Sequence, residues 1–249
     1  PFHTIIWPAI LMGLSWDLQL PTVIASSEYL QFRGAKASKS GGGKLYTLPR
    51  ALQHFQPDAL RYYLTVDGPE TRDSNFELKN FFHRINSELI GQIGNLANRA
   101  ISLCHQVNGG AVTHSQWDET LRQQVDSAYD EVGGAIEATN LRAGLGLVRA
   151  LAQEGNRFLT LTQPWARLDT DPEKSRSVNS VVQLVANLCQ LIAPFLPFSA
   201  QELASQMNLP ALTWQTASLP AGHRINPAQP IYRKISDETV AAETDFLNG

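Results

Sequence analysis

The sequence is poor in sulfur, modest in charge and free of long apolar runs. Charged residues make up 17% of the 249, and cysteine and methionine occur twice each. Cys104 and Cys189 stand far apart. Two thiols cannot build a disulfide framework or a thiolate metal site, and they point to a reducing compartment. No apolar run reaches the ~18 residues that a membrane-spanning helix needs, so no membrane partner is expected. The first twenty residues carry Asp17 and two tryptophans, with neither a basic start nor a small-residue cleavage site, so they are not expected to be a secretion signal. A net charge of -3 and a pI of about 6.1 exclude a basic tail or a strongly basic nucleic-acid-binding domain. A local RNA-binding patch is compatible with both values.

What is present is a hydrophobic fraction of 43%, enough to bury a core and to exclude wholesale disorder. The length suits one large domain or two ordinary ones. The chain opens on Pro1, and Phe2–Leu11 already reads as the interior of an apolar segment. The expectation is that the native polypeptide extends further in the N-terminal direction.

The first seventy-five residues are mixed in type. Ile5–Leu11 suits a helix. Thr22–Ala25, a β-branched run between Pro21 and Ser26-Ser27, predicts a strand. Tyr29–Phe32 continues extended and Gly34 predicts a turn. Leu48–Phe55 and Asp58–Thr65 read as short helices, with Pro57 suited to a helix start. Beyond Gly68-Pro69 the texture changes. Asp73 or Ser74 is the expected cap of a new helix, with Glu77 completing a capping box. Phe82, Ile85, Leu89, Ile93, Leu96, Ala100, Leu103 and Val107 then recur at spacings of three and four, one face of a long helix that Gly109-Gly110 ends. Three further stripes follow: Leu121 to Ile136, Leu141 to Leu159 with Pro164 as its limit, and Val181 to Leu191 behind Pro172-Glu173. Four amphipathic helices with short polar connections make a bundle. A short helix over Ser199–Met207 and a closing helix over Asp237–Phe246 complete the pattern.

Three groups of residues carry candidate chemistry. Lys36 to Lys44 (KASKSGGGK) packs lysines and serines among glycines that allow close backbone approach. Such a loop suits polyphosphate, and its ammonium groups can neutralise charge on a transferring phosphoryl or nucleotidyl group. It is not a P-loop, because GxxxxGK[ST] is absent. On composition alone a solvated, flexible surface loop is the commoner reading of such a stretch. His3 and Trp7, four apart beside Phe2, form either an aromatic pocket fit for a thioether or an ordinary packed helix. Asn95 and Arg99 sit at the edge of the long helix's buried stripe, and Trp165 follows Pro164 at a helix end. They suit hydrogen bonding to bases and phosphate and stacking on an unpaired base, or else a surface pair and a core tryptophan. Lys79, Arg84 and Arg142 are further candidates for phosphate. The histidines show no metal-ligand spacing.

The order of several motifs resembles that of the class I aminoacyl-tRNA synthetases, specifically the methionyl-tRNA synthetases. The matching stretches are Phe2-His3 with Trp7-Pro8-Ala9, Lys36-Ala37-Ser38-Lys39-Ser40, and Pro57-Asp58-Ala59-Leu60-Arg61-Tyr62-Tyr63. Asn95-Leu96-Ala97-Asn98-Arg99, Pro164-Trp165 and Leu219-Pro220-Ala221-Gly222-His223 follow in the family's order. Each motif is weak or moderate alone; together they span the chain.

The resemblance implies a mainly α protein: the C-terminal part of a Rossmann-type α/β catalytic domain over residues 1–72, an all-α anticodon-binding bundle over 73–208, and an extension over 209–249 packing back on both. It implies that Lys36, Ser38, Lys39 and Ser40 belong to the family's KMSKS loop, with Lys39 in the principal role. Ala37 departs from the usual methionine, and Gly41-Gly42 lacks the common arginine. Phe2, His3 and Trp7 would line the methionine pocket. Asn95, Arg99 and Trp165 would read the anticodon. The implied activity is ATP-dependent charging of tRNA(Met) through methionyl adenylate, with Mg2+-ATP as substrate, no metal site in this portion, and a cytoplasmic location. The HIGH-motif half would precede Pro1, so the isolated chain is expected to be inactive. The alternative reading is a non-catalytic tRNA-binding module.

Overall fold

The structure, a computed structural model, describes residues 1–14, 16–32, 35–36 and 46–248, with the backbone alone at 35, 36 and 248. A π-helical turn, Phe2–Ile6, runs into α1, Trp7–Gly13. Three short strands form one sheet: β1, Leu30–Phe32; β2, Ala35–Lys36; and β3, Ser74–Phe76. The order is β2-β1-β3, with β1 antiparallel to β2 and parallel to β3. Between β2 and β3 lie α2, Leu48–His54, and α3, Pro57–Asp67. Pro57 takes the first helical position, where its fixed φ fits and its missing N–H costs nothing.

Two sequence expectations fail here. Thr22–Ala25 is not a strand: the segment is exposed, Val23 at 70%, and makes no sheet pairing. β-Branched residues favour a strand only where a partner and a buried face exist. Asp73 and Ser74 do not cap a helix. Asp73 accepts the Tyr29 backbone N–H at 3.0 Å and the Gln31 side-chain amide at 3.1 Å, so it fastens β1, while Ser74 opens β3. Sheet pairing outcompetes the local cap, and the helix starts later, at Leu78.

From there one helical rod runs through α4, Leu78–Arg84, a π-helical stretch, Ile85–Gly94, and α5, Asn95–Asn108. Gly109 ends it at φ 61, as a left-handed C-terminal residue must. The other bundle helices are α6, Glu119–Glu137, α7, Leu141–Thr162, and α8, Pro172–Ile192. Side chains of Asp118, Asn140 and Asp171 cap their N-termini. Helix α8 is buried on every side from Ser177 to Ile192, the mark of a bundle's central helix.

That burial leaves a row of carboxamides needing partners. Gln183 pairs with Leu219, its Nε2 donating to the Leu219 carbonyl and its Oε1 accepting the Leu219 N–H, both at 2.8 Å. Asn187 does the same for Ala217 at 2.9 and 2.7 Å, and Gln190 accepts the Thr213 N–H. The row binds the extended stretch after α9, Pro197–Gln206, to the bundle. The chain then ends in α10, Asp237–Asn248.

The PDALRYY stretch on α3 joins the mixed N-terminal part to the bundle. Asp58, 2% exposed, accepts the Ser199 N–H at 2.6 Å and the Ser199 hydroxyl at 2.7 Å, capping α9. The Arg61 guanidinium donates to the carbonyls of Phe195 and Pro194, where α8 ends. The Tyr62 hydroxyl donates to Glu88 at 2.8 Å, and Tyr63 packs its ring edge-on against Phe76 and Phe81.

Candidate functional site

Arg99 meets Trp165, and Asn95 lies one turn before Arg99 on the same helix. The Arg99 guanidinium carbon lies 5.3 Å from the Trp165 ring centroid, within cation–π range. Trp165 is 50% exposed, which rules out the core-tryptophan alternative. Local chain logic puts it there. Gln163 ends α7 at φ 42 and Pro164, buried, starts a single 3-10 turn, Pro164–Ala166. Arg167 pins the turn by donating to the Thr162 carbonyl at 2.8 Å and to Asp171 at 2.7 Å. The indole is thereby presented outward with its backbone fixed.

A fourth residue, Asn156 of α7, belongs to the patch and was missed in the sequence. Its Oδ1 accepts from Asn95 Nδ2 at 3.5 Å and from Arg99 Nη1 at 3.4 Å. Gly155 beside it explains why α7 comes so close: a Cβ there would lie 2.8 Å from Leu96 Cδ2. The available signal was a Gly-Asn pair at the edge of the third stripe, too common a pattern to single out.

The phosphate candidates divide. Arg84 is committed to Glu88 at 3.0 Å and Asp67 at 3.4 Å, and the Arg142 guanidinium donates to the Gly68 carbonyl. Both hold α3 and its following turn against the bundle and are not free for phosphate. Lys79 is exposed. Glu88 also takes Arg149 at 2.7 Å. Burial and the Glu88 carboxylate push the Tyr62 phenol well above its ordinary range, so it stays a donor.

Of the loop residues, Lys36 closes β2 by its backbone, while Ser38, Lys39 and Ser40 lie outside the described residues, as does the expected turn at Gly34. The flanking residues pack on one another. Phe32 and Tyr46 stack at 6.2 Å with an interplanar angle of 4°, and Phe76 stacks on both. The Tyr46 hydroxyl donates at 2.8 Å to Glu243 of α10, a carboxylate 1% exposed. Arg50 donates to both oxygens of that carboxylate at 3.0 Å, and His54 lies 3.3 Å away. The C-terminal helix therefore clamps the segment that follows the loop.

Phe2 and His3 touch edge to face at 5.3 Å. Neither the opening π-turn nor α1 buries a residue. Phe2 and Trp7 are exposed, with many other large apolar side chains from Ile5 to Leu30. Among the described residues no cluster of His, Cys, Asp and Glu could hold a metal ion, and no helix is long and apolar enough to cross a membrane.

Residues 1–101 match the model of the class I tRNA synthetases (M), and residues 108–248 match that of the anticodon-binding domain of methionyl tRNA ligase. The chain is 34% identical over its whole length to the methionine–tRNA ligase of Bacillus mycoides, covering 45% of that protein. It is equally similar, with the same coverage, to methionine–tRNA ligase 1 of Bacillus cereus. The chain thus spans about half the length of the curated relatives it matches. Among solved structures it resembles Mycobacterium tuberculosis methionyl-tRNA synthetase bound by methionyl-adenylate, with a TM-score of 0.80 at 23% identity over 93% of this chain and 48% of that one. A second complex of that protein with methionyl-adenylate gives 0.79 at 25% identity, over 93% and 47%.

Proposed function

The chain belongs to the methionyl-tRNA ligase family of class I tRNA synthetases, and on that premise we propose that it serves as the C-terminal portion of a methionine–tRNA ligase. In this reading methionine attacks the α-phosphate of Mg2+-ATP, giving methionyl adenylate and pyrophosphate. A ribose hydroxyl at the 3′ end of tRNA(Met) then attacks the adenylate's carbonyl, taking the acyl group and releasing AMP. Residues 1–72 are the end of the catalytic domain. Lys39, supported by Lys36, Ser38 and Ser40, neutralises charge building on the α-phosphate. Phe2, His3 and Trp7 contribute to the methionine pocket, with His3 placing the substrate. Residues 73–208 form the anticodon-binding bundle and residues 209–249 pack back on both. The exposed apolar side chains from Phe2 to Leu30 support an upstream catalytic half that covers them. Two buried, free thiols suit a reducing compartment, and the cytoplasm is the proposed location.

One observation carries this reading: Arg99 lies over the exposed Trp165 ring while Asn95 and Arg99 share the carboxamide of Asn156. An indole open to stacking, beside a guanidinium and an amide, is the chemistry that holds and reads unpaired bases. The test is tRNA(Met) binding by the 249-residue chain with Trp165→Ala. Affinity is expected to fall by about 1–3 kcal/mol, the worth of one stacked base, with the thermal midpoint unchanged. Binding should also weaken with rising salt. Unaltered affinity in Trp165→Ala would refute the assignment. ATP–pyrophosphate exchange separates catalysis from binding: the chain alone should be silent, and methionine-dependent exchange would show that no upstream half is needed.

A further inference from the structure

Asn156 touches both polar members of the patch, and its own bonds decide which way it faces. Its Nδ2 donates to two backbone carbonyls, Gln92 and Ala152, each at 3.0 Å. An amide nitrogen has two hydrogens, so both are used. The oxygen is therefore fixed on the opposite side, aimed at Asn95 and Arg99. The anchors come from different elements. Ala152 lies one turn back on α7, and Gln92 lies in the π-helical stretch just before Asn95. Such widened turns are rare and gather at functional sites, because they change which backbone groups point where. Gly155 brings α7 against Leu96 closely enough for the Asn156 side chain to reach across.

We propose that Asn156 is a positioning residue for anticodon discrimination: its fixed carboxamide oxygen holds one donor each of Asn95 and Arg99, so that their remaining donors and the Arg99–Trp165 pair face the RNA in a single arrangement. This rests on the anticodon reading of the patch. Arg99 has five N–H donors on a rigid fork, and tethering Nη1 fixes the plane of the whole group. Without the tether the guanidinium and the Asn95 amide sample several rotamers. The bases then meet an unordered set of donors, whose ordering costs affinity for the matching anticodon and not for general phosphate contact.

The experiment measures the affinity of the 249-residue chain for tRNA(Met) and for the same tRNA with a substituted anticodon, and takes the ratio. In Asn156→Ala the ratio is expected to shrink by about tenfold, the worth of one or two hydrogen bonds, with binding of the substituted tRNA changed by less than about twofold. Asn156→Asp keeps the oxygen acceptor and loses the donors to Gln92 and Ala152. It should lower the thermal midpoint more than Asn156→Ala while holding the ratio within about threefold, since acceptance by a carboxylate is stronger. A merely structural role predicts the reverse ordering, with the ratio following stability. If the unaltered chain discriminates and Asn156→Ala discriminates equally, the positioning role is overturned and the anticodon reading stands. If the unaltered chain shows no anticodon preference, that reading falls and the role falls with it.

Discussion

Removing the Asp58 carboxylate should separate the two parts of the molecule more than any surface change. Its Oδ2 accepts two hydrogen bonds from Ser199, at 2.6 and 2.7 Å, and its Oδ1 faces the Arg61 Nε at 3.9 Å. The carboxylate is buried, and one bond satisfies an N–H in the first turn of α9 that has no partner inside its helix. Hydrogen bonds to a charged group contribute about 1.5–3 kcal/mol each, and two sharing one oxygen do not add fully. Asp58→Ala should therefore cost about 3–5 kcal/mol, a large fraction of a typical folding stability. Asp58→Asn retains an oxygen for both bonds and should cost about half of that, while Ser199→Ala removes one bond and should cost about 1 kcal/mol. Denaturant titration of the chain, followed by helical circular dichroism and by tryptophan fluorescence, gives the ranking. A cost below about 1 kcal/mol for Asp58→Ala, or equal costs for all three variants, would refute the capping argument.

Further consequences follow from close contacts elsewhere. Gly155→Ala gains about 1 kcal/mol of helix propensity but forces Leu96, fully buried, to yield to a Cβ at 2.8 Å. Overpacking of that kind costs about 1–3 kcal/mol, so a net loss of stability is expected together with weaker tRNA binding, and a more stable variant would contradict it. Glu243→Ala strips Tyr46 and Arg50 of their shared acceptor, and amide exchange across α10 should rise while α8 stays protected. Cys104 is pushed up to about 11 by burial and Cys189 is raised further in a fully enclosed site. Both remain thiols at pH 8, so a disulfide reagent should react slowly with the folded chain and rapidly in denaturant, and fast native labelling would show that the core opens.

The bundle was legible because long stripes of three- and four-residue spacing have one physical solution, burial of that face. The Leu141–Leu159 stripe and the Pro164 stop match α7, Leu141–Thr162, nearly residue for residue. Of the short β elements only β1 was legible, as the extended Tyr29–Phe32 stretch; its pairing was not. The Thr22–Ala25 run has strand composition and no partner, whereas Ser74-Asn75-Phe76 has weak strand composition and pairs with β1 in register. Pairing over forty residues of chain leaves no local trace. The patch was half legible for the same reason. Asn95 and Arg99 share a helix face, so their spacing places them together. Asn156 reaches them across a helix–helix contact that depends on the absent side chain of Gly155.

Buried and half-buried charged groups also tie the Asn95–Arg99–Trp165 patch to Tyr46 and the short sheet in one frame. The rod from Leu78 to Asn108 carries Asn95 and Arg99, and lower down it carries Glu88. Glu88 gathers Tyr62 of α3, Arg84 of the rod and Arg149 of α7 on one half-buried carboxylate. Helix α3 also holds Asp58 and Arg61, which lock onto the corner between α8 and α9. Tyr46, which follows the loop, is held by Glu243 of α10, and α10 packs on α4. Among the described residues, polar links between the loop flank and the rod thus run through buried or half-buried charged groups with named partners, beside an aromatic stack of Tyr46, Phe76 and Phe81. Charged groups in such places are costly to unpair and tolerate few alternative geometries. Such an arrangement constrains α3, α10 and the rod more tightly than an apolar interface of equal size, whose side chains can repack.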